Sequence, residues 1–234
     1  MIRDNILRIK EQISDTCVRL RRNPKEITIV AVSKGRSPQE IKEVISAGIT
    51  DIGENRVQEA LKKYYELQDI SYRLPKINWH MVGHLQTNKT KDAVKTFDLI
   101  HSVDSLHLAE EINRQAAKIN KIQNILVEVN TSGESSKFGL REDEVIEFIK
   151  ELPRLKNLSI KGLMTIAPRV DDPSKTRPYF KALRLLRDRI YHLGLNCDLT
   201  ILSMGMTEDF WVAIEEGATM IRLGRAIFEP CALG

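Results

Sequence analysis

The chain has 234 residues, 42% of them hydrophobic and 29% charged, so it can bury a sizeable core and is neither disordered nor fibrous in composition. Its net charge of +4 is mild, and the basic stretches Arg19–Arg22 and Arg184–Arg189 fall in helical patterns, where a solvated face explains them and no nucleic-acid partner is expected. Three cysteines (Cys17, Cys197 and Cys231) without C-x-x-C spacing argue against a disulfide framework or zinc knuckle, and a charged start with no long apolar run predicts a cytoplasmic protein without a signal peptide or membrane span.

Ile2, Ile6, Ile9 and Ile13 share one helical stripe, and that first helix ends near Asn23-Pro24. Ile27–Val32 is a β-branched apolar run, as in a strand covered on both faces. From there strands and helices alternate. The helices are read at Pro38–Ala47, Arg56–Leu67, Thr87–Lys95, Leu106–Ile119, Glu142–Leu152, Pro173–Leu193 and Asp209–Glu216. The strands between them are Thr50–Gly53, Ile77–Val82, Leu99–Val103, Ile125–Val129, Leu158–Thr165, Leu199–Ser203 and Met220–Leu223. Eight strand candidates in this length predict an α/β fold, a single (β/α)8 TIM barrel with an extra N-terminal helix, forming one domain over residues 1–234.

Each strand ends in a polar or glycine-containing turn, and a barrel gathers those ends at one mouth. Lys34 follows six largely apolar residues. Apolar walls would make its amine costly to charge and would favour the neutral nucleophile that traps an aldehyde or ketone. A lysine snorkelling to solvent is the bland alternative. Ser203-Met-Gly205-Met-Thr207 after the seventh strand and Arg222-Leu-Gly224-Arg225 after the eighth occupy the loops that cradle phosphate in many barrels. Asp209 reads as a complement to the helix dipole. A lysine beside a phosphate cradle suits a small ligand with both an aldehyde and a phosphate. Pyridoxal 5′-phosphate (PLP) is one, and a phosphosugar is another. His80 and His84 are spaced i,i+4 but lack the glutamate of H-E-x-x-H. In an extended segment they stand about 13 Å apart, so no metal site is expected.

The motifs Ala-Val-Ser-Lys34, Gly53-Glu-Asn-Arg-Val-Gln-Glu59, Trp79-His-Met-Val-Gly-His-Leu-Gln-Thr-Asn-Lys89, His101-Ser-Val-Asp104, Asn130–Gly139, Gly162-Leu-Met-Thr-Ile166, Ser203-Met-Gly-Met-Thr207 and Ile221-Arg-Leu-Gly224 run through nearly the whole chain. Together they resemble the YggS/PROSC family of PLP homeostasis proteins, whose fold looks like the N-terminal barrel of alanine racemase. The resemblance implies a PLP Schiff base on Lys34, with Arg222 facing the pyridine nitrogen, Asn55 near the ring hydroxyl and Met164 against the ring. It implies Ser203, Thr207 and the backbone at Gly205, Gly224 and Arg225 around the phosphate, with His80 nearby. Glu229, where the family often has glycine, and His84, at a variable position, depart from the pattern without touching these anchors. The implied role is intracellular buffering and delivery of PLP, with PLP-dependent apoenzymes as recipients, a monomeric state and no turnover of its own. The alternative is a racemase-like enzyme. Two-base racemisation needs a second base, which the racemases take from an added domain, and this chain ends about a dozen residues after its eighth strand. Lys137 lies in a loop with glycines at both ends, Gly133 and Gly139. It reads as a solvated lysine, with a transient second attachment as the sharper alternative.

Overall fold

The computed structural model describes residues 1–68, 74–195 and 197–230; Cys231 lies outside them. In chain order the helices are α1 (Ile2–Arg19), α2 (Pro38–Ser46), α3 (Val57–Gln68), α4 (Thr90–Thr96), α5 (Leu106–Ala117), α6 (Glu142–Glu151), α7 (Arg177–His192), α8 (Phe210–Glu215) and α9 (Arg225–Phe228). The strands are β1 (Thr28–Val32), β2 (Asp51–Glu54), β3 (Asn78–Met81), β4 (Leu99–Val103), β5 (Gln123–Glu128), β6 (Leu158–Met164), β7 (Ile201–Ser203) and β8 (Met220–Leu223). The strands form a closed barrel in sequence order, and β1 closes it by pairing in parallel with β8. The register at that seam runs from Thr28 opposite Met220 to Ala31 opposite Leu223.

Two apolar clusters follow from the two faces of each strand. Ile29 and Ala31 of β1 belong to the outer cluster between barrel and helices, whereas Val30 points inward with Leu99, Leu126, Met164 and Met220. Because side chains alternate along a strand, the residue two further on shares the inward face. For Leu99, Leu126, Ile201 and Met220 that residue is His101, Glu128, Ser203 and Arg222. The barrel therefore has an apolar layer inside and a polar layer above it, toward the C-terminal ends of the strands.

α1 packs against α8, α9 and α2 through Ile2, Ile6, Ile9 and Ile13. Asn5 Nδ2 ties it to the carbonyls of Ile227 and Glu229, both at 3.0 Å. Some boundaries differ from expectation. The helix expected from Pro173 begins as a 3₁₀ turn over Pro173–Thr176, with Asp172 accepting from the Ser174 amide, before α7 proper. β7 pairs only from Ile201, although Leu199 is already buried.

Candidate functional site

β1 ends at Val32, Ser33 is buried, and Lys34 and Gly35 form a turn beyond the rim. The apolar walls expected around the Lys34 amine are not there: Lys34 is exposed, because the turn lifts it past the last layer of strand side chains. It stands on the same rim as Gly224, since Val32 and Gly224 follow the last paired residues of β1 and β8.

Beneath the rim lies a buried polar chain. Arg222 donates from Nη1 to Ser203 Oγ (2.7 Å) and from Nη2 to the Thr165 carbonyl (2.9 Å). Ser203 Oγ is 3.0 Å from His101 Nδ1, His101 Nε2 is 2.9 Å from His80 Nδ1, and His80 Nε2 is 3.0 Å from Asp51 Oδ1. The donor inventory gives the chain a direction. Ser203 accepts from the guanidinium and keeps one hydroxyl proton, which the unprotonated Nδ1 of a neutral His101 can receive. Burial, followed by the neighbouring His80 and Arg222, pushes His101 well below the usual histidine range, so its ring is neutral with the proton on Nε2. His80 bridges the two, with Nδ1 toward His101 and Nε2 toward Asp51. Burial pushes Asp51 up, but His80 and Asn78 outweigh it and hold the carboxyl below its ordinary range. Burial pushes Arg222 down to about 10, against the pull of Glu128 and Asp209, which leaves it cationic at neutral pH.

Three groups in the mouth lack protein partners among the described residues. Asn55 Oδ1 is buried and unbonded, and so is Glu128 Oε2. Glu128 is pushed up to about 7 by burial and then by Asp104, with Arg222 opposing. The backbone N–H groups of Gly205, Thr207, Gly224 and Arg225 also donate to no recorded protein acceptor. Thr207 Oγ1 accepts from the Ala226 amide at 3.3 Å and so joins the two loops that carry these donors.

The two loop glycines serve different ends. A Cβ on Gly205, whose φ is +94°, would come within 2.6 Å of the Ala213 Cβ, so packing against α8 demands glycine there. A Cβ on Gly224 would find nothing nearer than the Val32 carbonyl at 3.5 Å, so the protein itself leaves that space open. Open space, free N–H donors and orphaned polar atoms in one mouth fit an anionic ligand with a polar ring. Asp209 is more than a dipole complement, for its Oδ1 accepts from the Met206 amide at 2.6 Å and folds the loop before α8.

The expected residues thus divide. Lys34, Asn55, Thr207, Gly224 and Arg225 lie at the rim. Met164 lies in the inner apolar cluster, and His80, Ser203 and Arg222 in the buried chain. The Ser203 hydroxyl is engaged below the rim with Arg222 and His101. His84 is separate from His80 and stacks on Phe138 of the 132–139 loop, with ring centroids 3.8 Å apart. Lys137 is not the solvated lysine expected: its Nζ is buried without a hydrogen-bond partner among the described residues and stands 3.4 Å from Glu134 Oε1. Glu128 belongs to the mouth as well, two residues after Leu126 on the inward face of β5, a face that the sequence does not distinguish.

The chain matches the alanine racemase N-terminal domain family over residues 4–230. It is 42% identical to the pyridoxal phosphate homeostasis protein of Aquifex aeolicus, covering 96% of both chains. To the protein of the same name from Escherichia coli it is 35% identical, covering 97% of this chain and 95% of the other. The structure of PipY from Synechococcus elongatus with PLP bound superposes with a TM-score of 0.80 at 36% identity, covering 92% of this chain and 99% of that one. Alanine racemase of Clostridium difficile shares the fold at a TM-score of 0.73 and 18% identity, and this chain spans 56% of it.

Proposed function

Because the chain belongs to the alanine racemase N-terminal domain family, we propose that it binds pyridoxal 5′-phosphate covalently through Lys34 and holds and delivers it inside the cell, without turnover of its own. The observation that carries this reading is the seam: the Lys34 turn follows β1, the free N–H groups at Gly224 and Arg225 follow β8, and those two strands are paired. An aldehyde on one side of a small ring and a phosphate on the other match that spacing of functions. PLP bound to PipY, a structural neighbour covered over 99% of its chain, supports it.

Within the reading each residue has one task. Lys34 supplies the amine. The N–H groups of Gly205, Thr207, Gly224 and Arg225 receive the phosphate oxygens. Asn55 Oδ1 accepts from the ring hydroxyl, and Met164 lines the floor. Arg222 turns toward the ring nitrogen and can only donate, so it leaves that nitrogen without a proton. When bound, PLP supplies an aldehyde and a ring that withdraws electrons strongly only if its nitrogen is protonated. Arg222 therefore favours keeping the cofactor over using it. We assign the whole chain to this single task as one domain, with PLP-dependent apoenzymes as recipients.

The test is spectroscopic. The protein mixed with PLP should shift the free aldehyde's absorption to the longer wavelength of an imine, and borohydride should fix the label on the peptide containing Lys34. Lys34→Ala should show neither. An unchanged band in Lys34→Ala would refute the covalent assignment. Exchange of the L-alanine α-proton well beyond the protein's own concentration would replace the carrier with an enzyme.

A further inference from the structure

The buried stripe of α3 is Val57, Ala60, Lys63 and Leu67, with a lysine where the helical period calls for an apolar residue. Lys63 is only 5% exposed. A buried ammonium persists only when paired and hydrogen-bonded, and Lys63 is both. Its Nζ lies 2.6 Å from the Ser33 carbonyl, 2.7 Å from Glu54 Oε1 and 2.7 Å from Glu59 Oε1. The three protons of an ammonium are thereby all used, so Lys63 is not a second aldehyde trap.

Its partners grip the residues on both sides of Lys34. Ser33 Oγ donates to Glu54 Oε1 and the Gly35 amide donates to Glu59 Oε1, each at 2.5 Å. The Ser33 carbonyl that accepts from Lys63 also accepts from the Arg36 amide at 2.9 Å, which closes the turn. Gly35 holds φ +69°, the left-handed setting such a turn asks of its third residue. Lys34 itself makes no ion pair or side-chain hydrogen bond among the described residues.

We propose that Lys63, clasped between Glu54 and Glu59, is a positioning residue that fixes the Lys34 turn so that the Lys34 amine meets its aldehyde in a single geometry. This rests on the covalent reading above. In the step it serves, the neutral amine nitrogen bonds to the aldehyde carbon, and both amine protons leave with the aldehyde oxygen as water. The clamp takes no part in the bond-making. It removes the turn's freedom beforehand, and a small misplacement of a reacting group can cost up to about a hundredfold.

The experiment compares two ligands on the full chain. Pyridoxal 5′-phosphate can bond to Lys34; pyridoxine 5′-phosphate, an alcohol at the same carbon, cannot. Wild type should prefer the aldehyde, and Lys34→Ala, which binds both without a bond, sets the floor. Lys63→Met should lower aldehyde affinity by about tenfold to a hundredfold and leave alcohol affinity within about twofold. Glu54, whose carboxyl burial already pushes up, can take a proton once Lys63 is gone. Glu59→Ala gives a second route should Lys63→Met fail to fold, because Glu59 is half-buried and only the Gly35 tie and one ion pair are lost. It should weaken the aldehyde selectively, whereas Glu59→Gln keeps an acceptor for Gly35 and should restore the preference. Parallel weakening of both ligands, or no change in either, would overturn the clamp while leaving Lys34 in place. Equal affinity of wild type for the two ligands would remove the covalent reading, and the clamp's task with it.

Discussion

Glu128 ties the stability of the mouth to pH. It is buried on the inward face of β5, one oxygen has no protein partner, and Asp104 adds like charge nearby. The carboxyl is held up at about 7 against an ordinary 4.5. The sign follows from proton counting. Between those two values the folded chain keeps a proton that the unfolded chain has released, so stability falls as pH rises through that window. The full loss is roughly 3 kcal/mol above the upper value. His84 bears on Asp104, and Arg222 opposes from β8, so the shift belongs to this cluster. Glu128→Gln should remove the pH-dependent part. In urea unfolding the variant should gain on wild type by roughly 2–3 kcal/mol between about pH 5 and about pH 8. A wild-type-to-variant difference that stays flat across that range would mean that Glu128 ionises normally.

At the scale of elements, two glycines separate what the barrel needs from what its mouth needs. A Cβ on Gly162 of β6 would lie 1.8 Å from the Ile201 carbonyl, inside the β6–β7 pairing. Gly162→Ala should lower thermal stability by about 3 kcal/mol or more, since overpacked sites seldom relax cheaply. Gly224→Ala faces only ordinary contacts. It should stay within about 0.5 kcal/mol of wild type in stability, yet lose affinity for PLP and for pyridoxine 5′-phosphate together. Equal stability losses in the two variants would contradict this division. The strands themselves were legible because short runs such as Thr28–Val32, bounded by polar turns, are rich in β-branched residues and too short for a helix. The rim loops around Gly205 and Gly224 were legible for a related reason, as glycine and hydroxyl residues stand out after an apolar strand. The buried chain from Arg222 to Asp51 was not. Periodicity separates the two faces of a strand without saying which faces the barrel axis, and only the stagger of β3, β4 and β7 brings His80, His101 and Ser203 together. Lys34 was placed correctly along the chain and wrongly in depth, because hydropathy cannot tell the last buried layer from the first turn above it. Lys63 carries no signal in the sequence, since its carboxylates come from β2 and from the helix's own first turn.

For the whole molecule, the deciding feature is where the barrel closes. β1 and β8 lie far apart in sequence, and the first helix and the turn after it brace that junction from outside: Asn5 reaches the α9 region, and Arg22, just past α1, donates to the carbonyls of Ile214 and Ala218 at 2.7 and 2.9 Å. The Lys34 turn and the Gly224–Arg225 backbone sit on opposite sides of the same seam. A ligand bonded to one and held by the other is a cross-link between the first and last strands, and it acts only on the folded state. Mass action then favours the closed form by about 2.7 kcal/mol when free ligand stands at a hundred times its dissociation constant. If the seam opens before the rest of the barrel, that stabilisation should be read locally. Amides of β8 and α9 should exchange with deuterated water about a hundredfold more slowly in the PLP-loaded wild type, while those of β4 and β5 change little. Lys34→Ala, holding the same ligand without the bond, should show a much smaller slowing at β8. Uniform slowing around the barrel would mean that it opens as one unit, and the ligand would then be a passenger in a closed ring rather than its clasp.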